Sequence, residues 1–355
     1  MTDVVLAVNP GSSSLKVVAQ DEAPRLRVQV ERLGTPSVAW SVDGRKVEQP
    51  APKDVAGALV AVRDLLRDRQ VVVDAVAHRV VHGGPHHAGP ARVDADLLAE
   101  LRALVPLAPL HLPTDLLVIE TARELWPGVP HVACFDTAFH HGLPDEARRL
   151  PVAQRLADAG MRRYGFHGLS LQSVVDAHPH LGAAVVAHLG AGCSVSAVQD
   201  GRSRHTTMSL TPTGGVPSAT RSGDLDPEVV LQSLESGLRP ADLRDLLEHQ
   251  SGLAGIAAGR SDVRDLLAAR QADPAADLAL RVFTRSVAMA IAGCAVTLDR
   301  WDALVFTGGV GEHATELRAK ICARLAASLR LPSVLVVRAD EEGVMDRQAR
   351  LFITA

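Results

Sequence analysis

The sequence is poor in lysine and aromatic residues and has no excess of basic charge. Its 355 residues include 37 Lys and Arg against 41 Asp and Glu, which gives a formal net charge of -4 at pH 7. The basic residues are mostly arginine, and the lysines are Lys16, Lys46, Lys53 and Lys320. Proteins that bind nucleic acid or anionic membranes normally carry a basic patch. We therefore expect neither nucleic acid nor a membrane as a partner.

Cysteine is also scarce, and no pair of cysteines has C-x-x-C spacing. Cys134, Cys193, Cys294 and Cys322 each lie among apolar or small residues, where a free thiol behaves as a small hydrophobe. This usage favours a reducing compartment. The N-terminus lacks the basic region and cleavage site of a secretion signal, and no apolar run reaches the length that a bilayer requires. We expect a cytoplasmic protein.

Several common catalytic signatures are missing. The sequence has no nucleophile–base–orienter triad motif, no zinc-ligand spacing and no Walker A pattern. Any catalytic site must therefore be assembled from other motifs.

Both halves of the chain begin with the same pattern of elements. A β-branched run at 4–8, a polar loop at 9–14 and a second run at 15–19 predict two strands joined by a tight turn. The second half repeats this with an apolar strand at 183–189, a small-residue turn at 190–194 and a strand at 195–198. The repetition suggests an internally duplicated α/β fold.

The remaining elements follow from apolar periodicity and continuous apolar runs. Strands are predicted at 71–81, 131–135, 303–307 and 333–337, with a glycine-rich turn at 308–311. Helices are predicted at 54–69, near 97–104, and at 116–125, 227–236, 240–249 and 274–298. Another helix follows the glycine-rich turn and ends at about 328, and a short one lies at the C-terminus.

The loop at 9–14 offers consecutive backbone N–H groups and three hydroxyls, and Lys16 follows shortly after it. Small residues let the backbone approach a phosphate closely, and N–H groups supply fixed positive dipoles. The alternative is a serine-rich hairpin turn with no ligand.

Two charged residues are expected at the carboxyl ends of buried strands, where open α/β sheets bind ligands. Arg79 lies in the segment HRVVHGG, and a buried arginine is costly unless it meets an anion. Asp136 lies in CFDTAFH, and its carboxylate is suited to Mg²⁺. The alternatives are a surface arginine and a helix N-cap aspartate.

Three further segments add candidates. His167 stands in RRYGFHG, where a histidine can meet developing charge on a phosphoryl group or serve a structural role. Arg221 stands in TRSGDLDP, after a Gly- and Pro-rich run, and is a candidate anion contact. The segment FTGGVGEH at 306–313 reads as strand, glycine turn and helix start, which suits a nucleotide. Taken together, these motifs have the parts required for phosphoryl transfer.

In order along the chain, NPGSSSLK, HRVVHGG, LAPLH, FDTAFH, RRYGFHG, HLGAG, TRSGDLDP, SDVRD, FTGGVGE and the terminal DEE resemble the acetate kinase family. The resemblance runs from residue 4 to about 352. It implies a duplicated actin-like, ribonuclease H-like ATPase fold with an interdomain cleft and a homodimer. The expected domains are 1–145, with a C-terminal helix at 342–355 packing back on it, and a nucleotide-binding domain at 146–341.

The resemblance also implies roles for individual residues. The catalytic group is Arg79, His111, Asp136, His167 and Arg221, in which the two arginines hold the carboxylate and the phosphoryl group and His167 stabilises the transition state. The phosphate and nucleotide group is Asn9, Ser12, Ser14, Lys16, His188, Gly190, Gly192, Asp262, Arg264, Gly309, Val310 and Gly311. The acyl pocket is Val81, Leu110, Phe166 and Pro212. The metal, Mg²⁺ or Mn²⁺, is expected at Asn9, Asp136 and Glu341.

The activity that the resemblance implies is reversible in-line transfer of the ATP γ-phosphate to acetate, giving acetyl phosphate and ADP. Four positions depart from the family pattern: Ala191, His313, Leu112 and Leu171. The first two stand on the expected donor side. Alternative functions are a propionate or other short-chain acyl kinase, a pyrophosphate-dependent enzyme, and a non-catalytic nucleotide-binding regulatory protein.

Overall fold

The structure is a computed structural model that describes residues 3–11, 14–33, 38–47 and 51–353. Contacts divide the chain into two compact units. The first unit comprises Met1–His141 and Asp340–Ala355, and the second unit comprises Gly142–Ala339.

The bounds of the elements are as follows. The strands are β1 (Val5–Pro10), β2 (Ser14–Gln20), β3 (Pro24–Glu31), β4 (Ala39–Val42), β5 (Arg45–Lys46), β6 (Ala75–Val80), β7 (Ala91–Arg92), β8 (His131–Phe135), β9 (Ala183–Leu189), β10 (Cys193–Gln199), β11 (Arg202–Thr206), β12 (Ala303–Thr307) and β13 (Ser333–Val336). The helices are α1 (Val55–Asp68), α2 (Ala95–Ala103), α3 (Leu112–Leu125), α4 (Asp145–Arg148), α5 (Gln154–Asp158), α6 (Gly168–Ala177), α7 (Pro227–Glu235), α8 (Pro240–His249), α9 (Gly252–Ile256), α10 (Val263–Ala269), α11 (Pro274–Ala295), α12 (Gly308–His313), α13 (Thr315–Ala326) and α14 (Glu341–Arg350). Short 3₁₀ turns lie at Val105–Leu107 and Ala138–His140.

Each unit is built around one sheet, and the two sheets share a five-strand pattern. The sheet of the first unit has the order β5-β4-β3-β2-β1-β6-β8-β7, and that of the second unit has the order β11-β10-β9-β12-β13. In the first sheet β1 pairs antiparallel with β2 and parallel with β6, and β6 continues parallel to β8. In the second sheet β9 pairs antiparallel with β10 and parallel with β12, and β12 continues parallel to β13. The predicted duplication is confirmed.

The central strands are continuous apolar runs because they are covered on both faces. Every residue of β1, β8 and β12 is buried, which is typical of parallel strands with elements packed on both sides. In the first unit α1 buries Leu59, Val62 and Leu66 along one face, at the i, i+3, i+7 spacing of an amphipathic helix. The helix α14 packs across β1, β6 and β8.

The longest helix described, α11, packs one face in the core and also carries apolar residues on its exposed face. Its buried face includes Phe283, Val287 and Ile291, which lie in the core of the second unit. By length and composition it is able to cross a membrane, although 44% of its most apolar stretch is buried inside the protein. The expectation that no apolar segment reaches that length is therefore wrong, because α11 carries apolar residues on two faces.

Other differences from the predicted elements have local causes. The strand predicted at 71–81 begins only at Ala75. Just before it, the N–H of Asp74 donates to the Val4 carbonyl, and the Asp74 carboxylate accepts from the Val4 N–H. The predicted turn at 308–311 is the helix α12. The sequence did not predict the strands β3, β4, β5 and β7 or the helices α4, α5, α6, α9 and α10. In β3 the alternation of Leu26, Val28 and Val30 with polar residues is the signal that identifies a half-buried strand.

Docking of α14 on the first unit should depend on Met345, which is fully buried. We expect Met345→Ala to lower the free energy of unfolding by about 2–5 kcal/mol, because it leaves a cavity at this contact. Urea unfolding followed by circular dichroism would measure the change. The matched control is Leu351→Ala at the end of the same helix, where the side chain is 66% exposed and little loss is expected. Equal losses in the two variants would contradict the packing described for α14.

Candidate active site

The centre of the site in the first unit is a buried ion pair. Arg79 lies on β6, and Asp136 directly follows the neighbouring parallel strand β8. Nε and Nη2 of Arg79 donate to Oδ2 of Asp136 at 3.0 and 2.5 Å, and Nη1 donates to the carbonyl of Pro10 at 2.7 Å. Asp136 is 1% exposed. Arg79 is thus no surface arginine, and Thr137, not Asp136, occupies the cap position of the following 3₁₀ turn.

Burial and neighbouring charge act on this pair in opposite directions. Burial lowers the pKa of Arg79, but the carboxylates of Asp136, Glu341 and Asp115 outweigh it and raise that pKa. The pKa of Asp136 is raised, mainly by burial and also by Glu341, although Arg79 opposes the shift. Oδ1 of Asp136 is buried and has no hydrogen-bond partner among the described residues. An orphaned carboxylate oxygen of this kind is available to a cation or a substrate.

The last helix of the chain brings two further carboxylates to the first strand. Nδ2 of Asn9, at the end of β1, donates to Oε2 of Glu341 and Oε1 of Glu342, both at 2.9 Å. The turn after β1 is closed by a hydrogen bond of 2.8 Å from the Gly11 N–H to the Ser14 carbonyl. Asn9, the first residue of the predicted phosphate loop, thus lies beside an acidic pair.

Of the two remaining residues predicted in this segment, the structure describes one. Lys16 is exposed on β2, opposite Asn9 in register. Ser12 lies outside the described residues.

Asp115 is a buried residue of this site that the motifs did not reveal. It lies on the buried face of α3 and is 3% exposed. Its Oδ2 accepts a hydrogen bond of 2.9 Å from the N–H of Val81. Burial raises the pKa of Asp115 to about 7, against the opposing effects of Arg79 and of the Val81 N–H. An aspartate at an apolar-face position of a helix was the available signal.

The predicted acyl-pocket residues are distributed over both units. Val81 is buried directly after β6, and Leu110 is half-buried just before α3. His111, predicted as a catalytic residue, occupies the N-cap position of α3. Phe166 and Pro212 are buried in the second unit. Each unit therefore holds one pair of these residues.

In the second unit two histidines and two serines are linked between α6 and the β9–β10 hairpin. The rings of His167 and His188 are stacked with centroids 4.2 Å apart and planes inclined by 25°. Nδ1 of His167 lies 3.0 Å from Oγ of Ser194, and Nδ1 of His188 lies 2.8 Å from Oγ of Ser170. His167 has a positive φ of 60°, which is uncommon for a residue with a side chain and occurs often at functional sites.

Glycines allow these side chains to approach the turn at 190–192. A Cβ added at Gly192 would lie 3.2 Å from Nε2 of His167 and 3.3 Å from Nη1 of Arg221. Nη1 of Arg221 also donates to the Pro212 carbonyl at 3.4 Å. Gly252, with φ of 60°, lets the loop that carries Arg221 approach closely, since a Cβ there would lie 2.3 Å from the Ser218 carbonyl oxygen. His167, Arg221 and the predicted second phosphate turn thus lie together.

A cavity of about 660 Å³ opens beside this turn within the second unit. Its lining includes the predicted nucleotide residues Gly190, Asp262, Arg264, Gly309 and Val310, together with the two departures Ala191 and His313. Asp262 caps α10 and is paired with Arg264 at 2.5 Å. Apolar side chains supply much of the remaining wall: Leu253, Val263, Leu267 and Phe283.

The sheets and the residues at their strand ends identify the class of protein. Two sheets of one pattern, with charged and glycine-rich segments at the ends of their central strands, form a duplicated actin-like α/β fold, as predicted. The chain matches the model of the Acetokinase family over residues 4–347 and belongs to that family.

Individual relatives agree with this assignment. The acetate kinase of Deinococcus deserti is 44% identical over 341 residues, which cover 91% of this chain and 85% of the relative. That of Thermosynechococcus vestitus is 37% identical over 387 residues, covering 98% and 92%. Among solved structures, a propionate kinase from Francisella tularensis superposes with a TM-score of 0.92 at 30% identity, covering 98% and 99% of the two chains. The Porphyromonas gingivalis acetate kinase gives 0.86 at 28% identity, covering 99% and 100%.

The raised pKa of Asp115 predicts a pH-dependent cost to stability. Between about pH 4 and pH 7 the native state keeps a proton that the unfolded state releases, so stability falls as the pH rises. Asp115→Asn cannot lose that proton. We therefore expect its unfolding free energy to rise relative to the wild type across this window, by at most about 1.4 kcal/mol per pH unit, and to level off above it.

Urea unfolding at a series of pH values would measure this difference. The control is Asp145→Asn, where the carboxylate is 85% exposed and the substitution changes no buried group. A pH-independent difference for Asp115→Asn would contradict a buried, proton-retaining carboxyl.

Proposed function

We propose that this protein is a Mg²⁺-dependent acetate kinase that transfers the γ-phosphoryl group of ATP to the carboxylate of acetate, giving acetyl phosphate and ADP. The observation that carries the proposal is the buried Arg79–Asp136 pair, with an orphaned oxygen on Asp136, in a chain of the acetokinase family. A guanidinium is suited to an anionic acceptor because it presents planar, fixed donors to a carboxylate or phosphate.

The acceptor side requires no general base. A carboxylate is ionised at neutral pH and already nucleophilic, so the protein must neutralise charge and align the reacting groups. Arg79 supplies fixed positive charge in the first unit. Arg221 and His167 supply donors beside Gly192 in the second unit, where the transferring phosphoryl group would be stabilised. The C–O⁻ oxygen of acetate forms the new P–O bond as the bond from the γ-phosphorus to ADP breaks.

The residues at the first site fit Mg²⁺. The donors are oxygens only, from Asp136 and Glu341, with Asn9 beside them. Among the described residues no group of three or more His, Cys, Asp or Glu side chains is arranged to hold a metal alone. This suits Mg²⁺, which usually takes one or two carboxylates and completes its shell with water and substrate phosphates. When bound, the ion would neutralise phosphate charge.

The cavity of the second unit supports ATP over pyrophosphate as the donor. Its lining of Leu253, Val263, Leu267 and Phe283 matches a flat apolar base, for which pyrophosphate has no counterpart. Its volume of about 660 Å³ is within the range of small-molecule and cofactor sites.

Propionate is the second candidate acceptor. The specific observation in its favour is the TM-score of 0.92 with the Francisella tularensis propionate kinase. The two acceptors differ by one methylene, which an apolar pocket distinguishes by only about 1–3 kcal/mol.

We also propose a homodimer that uses the outer face of α11. Leu278, Val282, Met289 and Val296 are 37–82% exposed and fall on one stripe, at spacings of four, seven and seven residues. A cavity of about 920 Å³ runs along Val282 and Met289. An exposed apolar stripe of this length usually marks an interface, and a second copy of the same chain is the commonest partner in soluble oligomers.

The direct test of the reaction is a hydroxamate assay with purified protein. Acetate, propionate and butyrate would each be combined with ATP or pyrophosphate and with Mg²⁺ or EDTA. We expect most hydroxamate from acetate with ATP and Mg²⁺, and none with EDTA. A lack of product with every pair would favour a non-catalytic nucleotide-binding protein instead.

Arg221→Ala should lose most activity while remaining folded. Removal of one contact to the transferring group typically costs about 100- to 1000-fold in kcat. Steady-state kinetics and thermal unfolding would separate the two effects. The matched control is Arg324→Ala on the exposed part of α13, which should retain full activity. An unchanged kcat in Arg221→Ala would contradict its placement at the phosphoryl group.

Met289→Asp should dissociate the proposed dimer, because it places a charge in the centre of the apolar stripe. Light scattering after size-exclusion chromatography would report the mass. Val72→Asp is the control, since Val72 is 74% exposed but lies in the first unit. A monomeric wild type, or a Met289→Asp dimer, would rule out this interface.

A further inference from the structure

Two histidine–serine pairs cross between α6 and the β9–β10 hairpin. His167 precedes α6 and bonds to Ser194 on β10, whereas His188 on β9 bonds to Ser170 on α6. Ser194 and His188 are register partners on the two strands. The pairs therefore tie the start of the helix to the hairpin at two adjacent points.

Both serines are buried, and each contacts the Nδ1 atom of its own histidine. Ser170 is 0% and Ser194 1% exposed, so water competes little for either hydroxyl. Each hydroxyl lies at Nδ1 of its histidine. The partner of one ring nitrogen determines which tautomer the imidazole adopts and what the other nitrogen can do.

The opposite ring nitrogens face glycines. Nε2 of His167 would lie 3.2 Å from a Cβ at Gly192, and Nε2 of His188 would lie 3.1 Å from a Cβ at Gly308. The stacking of the rings at 4.2 Å restricts rotation of both. The serines and the stack together hold the two Nε2 atoms on the side of Gly192 and Gly308.

We propose that Ser194 is a positioning residue for phosphoryl transfer: its hydroxyl donates to Nδ1 of His167 and so keeps an Nε2–H directed to the phosphoryl group beside Gly192. This inference rests on the proposed function, because it assigns the transferring group to that turn. Ser194 acts through His167 and touches no reacting atom. Ser170 has the corresponding place behind His188.

The kinetic test compares Ser194→Ala with wild type. Loss of one neutral hydrogen bond should reduce kcat by about 3- to 10-fold, with KM for acetate and for ATP changed by less than about twofold, because His167 acts on the transition state. Ser194→Thr keeps the hydroxyl and should recover most of the loss. The matched control is Ser196→Ala, two residues along the same strand, where a fully buried hydroxyl bonds to Thr206 instead of a histidine. It should retain kcat within about twofold.

A double-mutant cycle with His167→Ala distinguishes positioning from a general structural effect. If Ser194 acts through His167, its removal should cost nothing further once the imidazole is absent. A Ser194→Ala effect that persists in the His167→Ala background would overturn the proposal. So would an equal loss of kcat in Ser196→Ala, or an unchanged kcat in Ser194→Ala.

A readout independent of activity is the tautomer of His167, observed in two-bond ¹H–¹⁵N correlation spectra. We expect the Nε2–H form in wild type and a mixture in Ser194→Ala, while thermal unfolding shows both proteins folded. An Nδ1–H form in wild type would overturn the proposal. If the wild type makes no acyl phosphate, the proposed function fails, and the spectra still decide whether Ser194 sets the tautomer.

Discussion

The buried ion pair of Arg79 and Asp136 is the interaction on which the first unit depends. Removing two charges from water is costly, and the attraction between them offsets this only when further hydrogen bonds satisfy both groups. Here the Pro10 carbonyl takes one arginine donor, while one oxygen of Asp136 stays without a partner among the described residues. The arrangement thus leaves part of a buried carboxylate unsatisfied, at the carboxyl ends of two parallel strands where ligands usually bind.

The end of the chain returns to the first unit and brings further carboxylates to this site. Glu341 and Glu342 begin α14 and meet Asn9, more than 300 residues earlier in sequence. The apolar face of α14 packs on β1, β6 and β8, so the packing of this helix determines where its two carboxylates lie. Stability and site geometry are therefore coupled in one short element.

The two units share a sheet pattern but differ in the chemistry at the ends of their strands. The first unit concentrates carboxylates around an arginine. The second unit presents imidazoles, an arginine and glycine-lined turns beside an apolar cavity. The first set suits a metal and a small anionic acceptor, and the second suits a phosphorylated donor with a base. Duplication of one fold has in this way given two units whose strand ends differ in chemistry.

The sequence predicts most accurately those strands whose residues are nearly all buried. The strands at 131–135, 183–189 and 303–307 are continuous apolar runs, and their predicted bounds match the structure. The strands β4 and β5 have only four and two residues, too few to show a pattern, whereas β3 keeps the alternation of a half-buried strand and was missed despite it.

The site was predictable only where a residue type was conspicuous in its motif. Arg79, Asp136, His167 and Arg221 stand out at strand ends or in glycine-rich loops. Asp115, Ser170 and Ser194 do not, because their importance comes from hydrogen bonds made across the fold. No local pattern encodes such a partner. The cavity wall is likewise formed from separate helices and turns.

The central claim is that a carboxylate oxygen of acetate forms the new bond to the phosphorus that leaves ATP. Phosphorus NMR of the product formed from ¹⁸O-labelled acetate tests this claim most directly. The account predicts acetyl phosphate whose phosphorus signal carries the isotope shift of one directly bonded ¹⁸O. Acetyl phosphate without that shift, or release of inorganic phosphate and ADP alone, would contradict it.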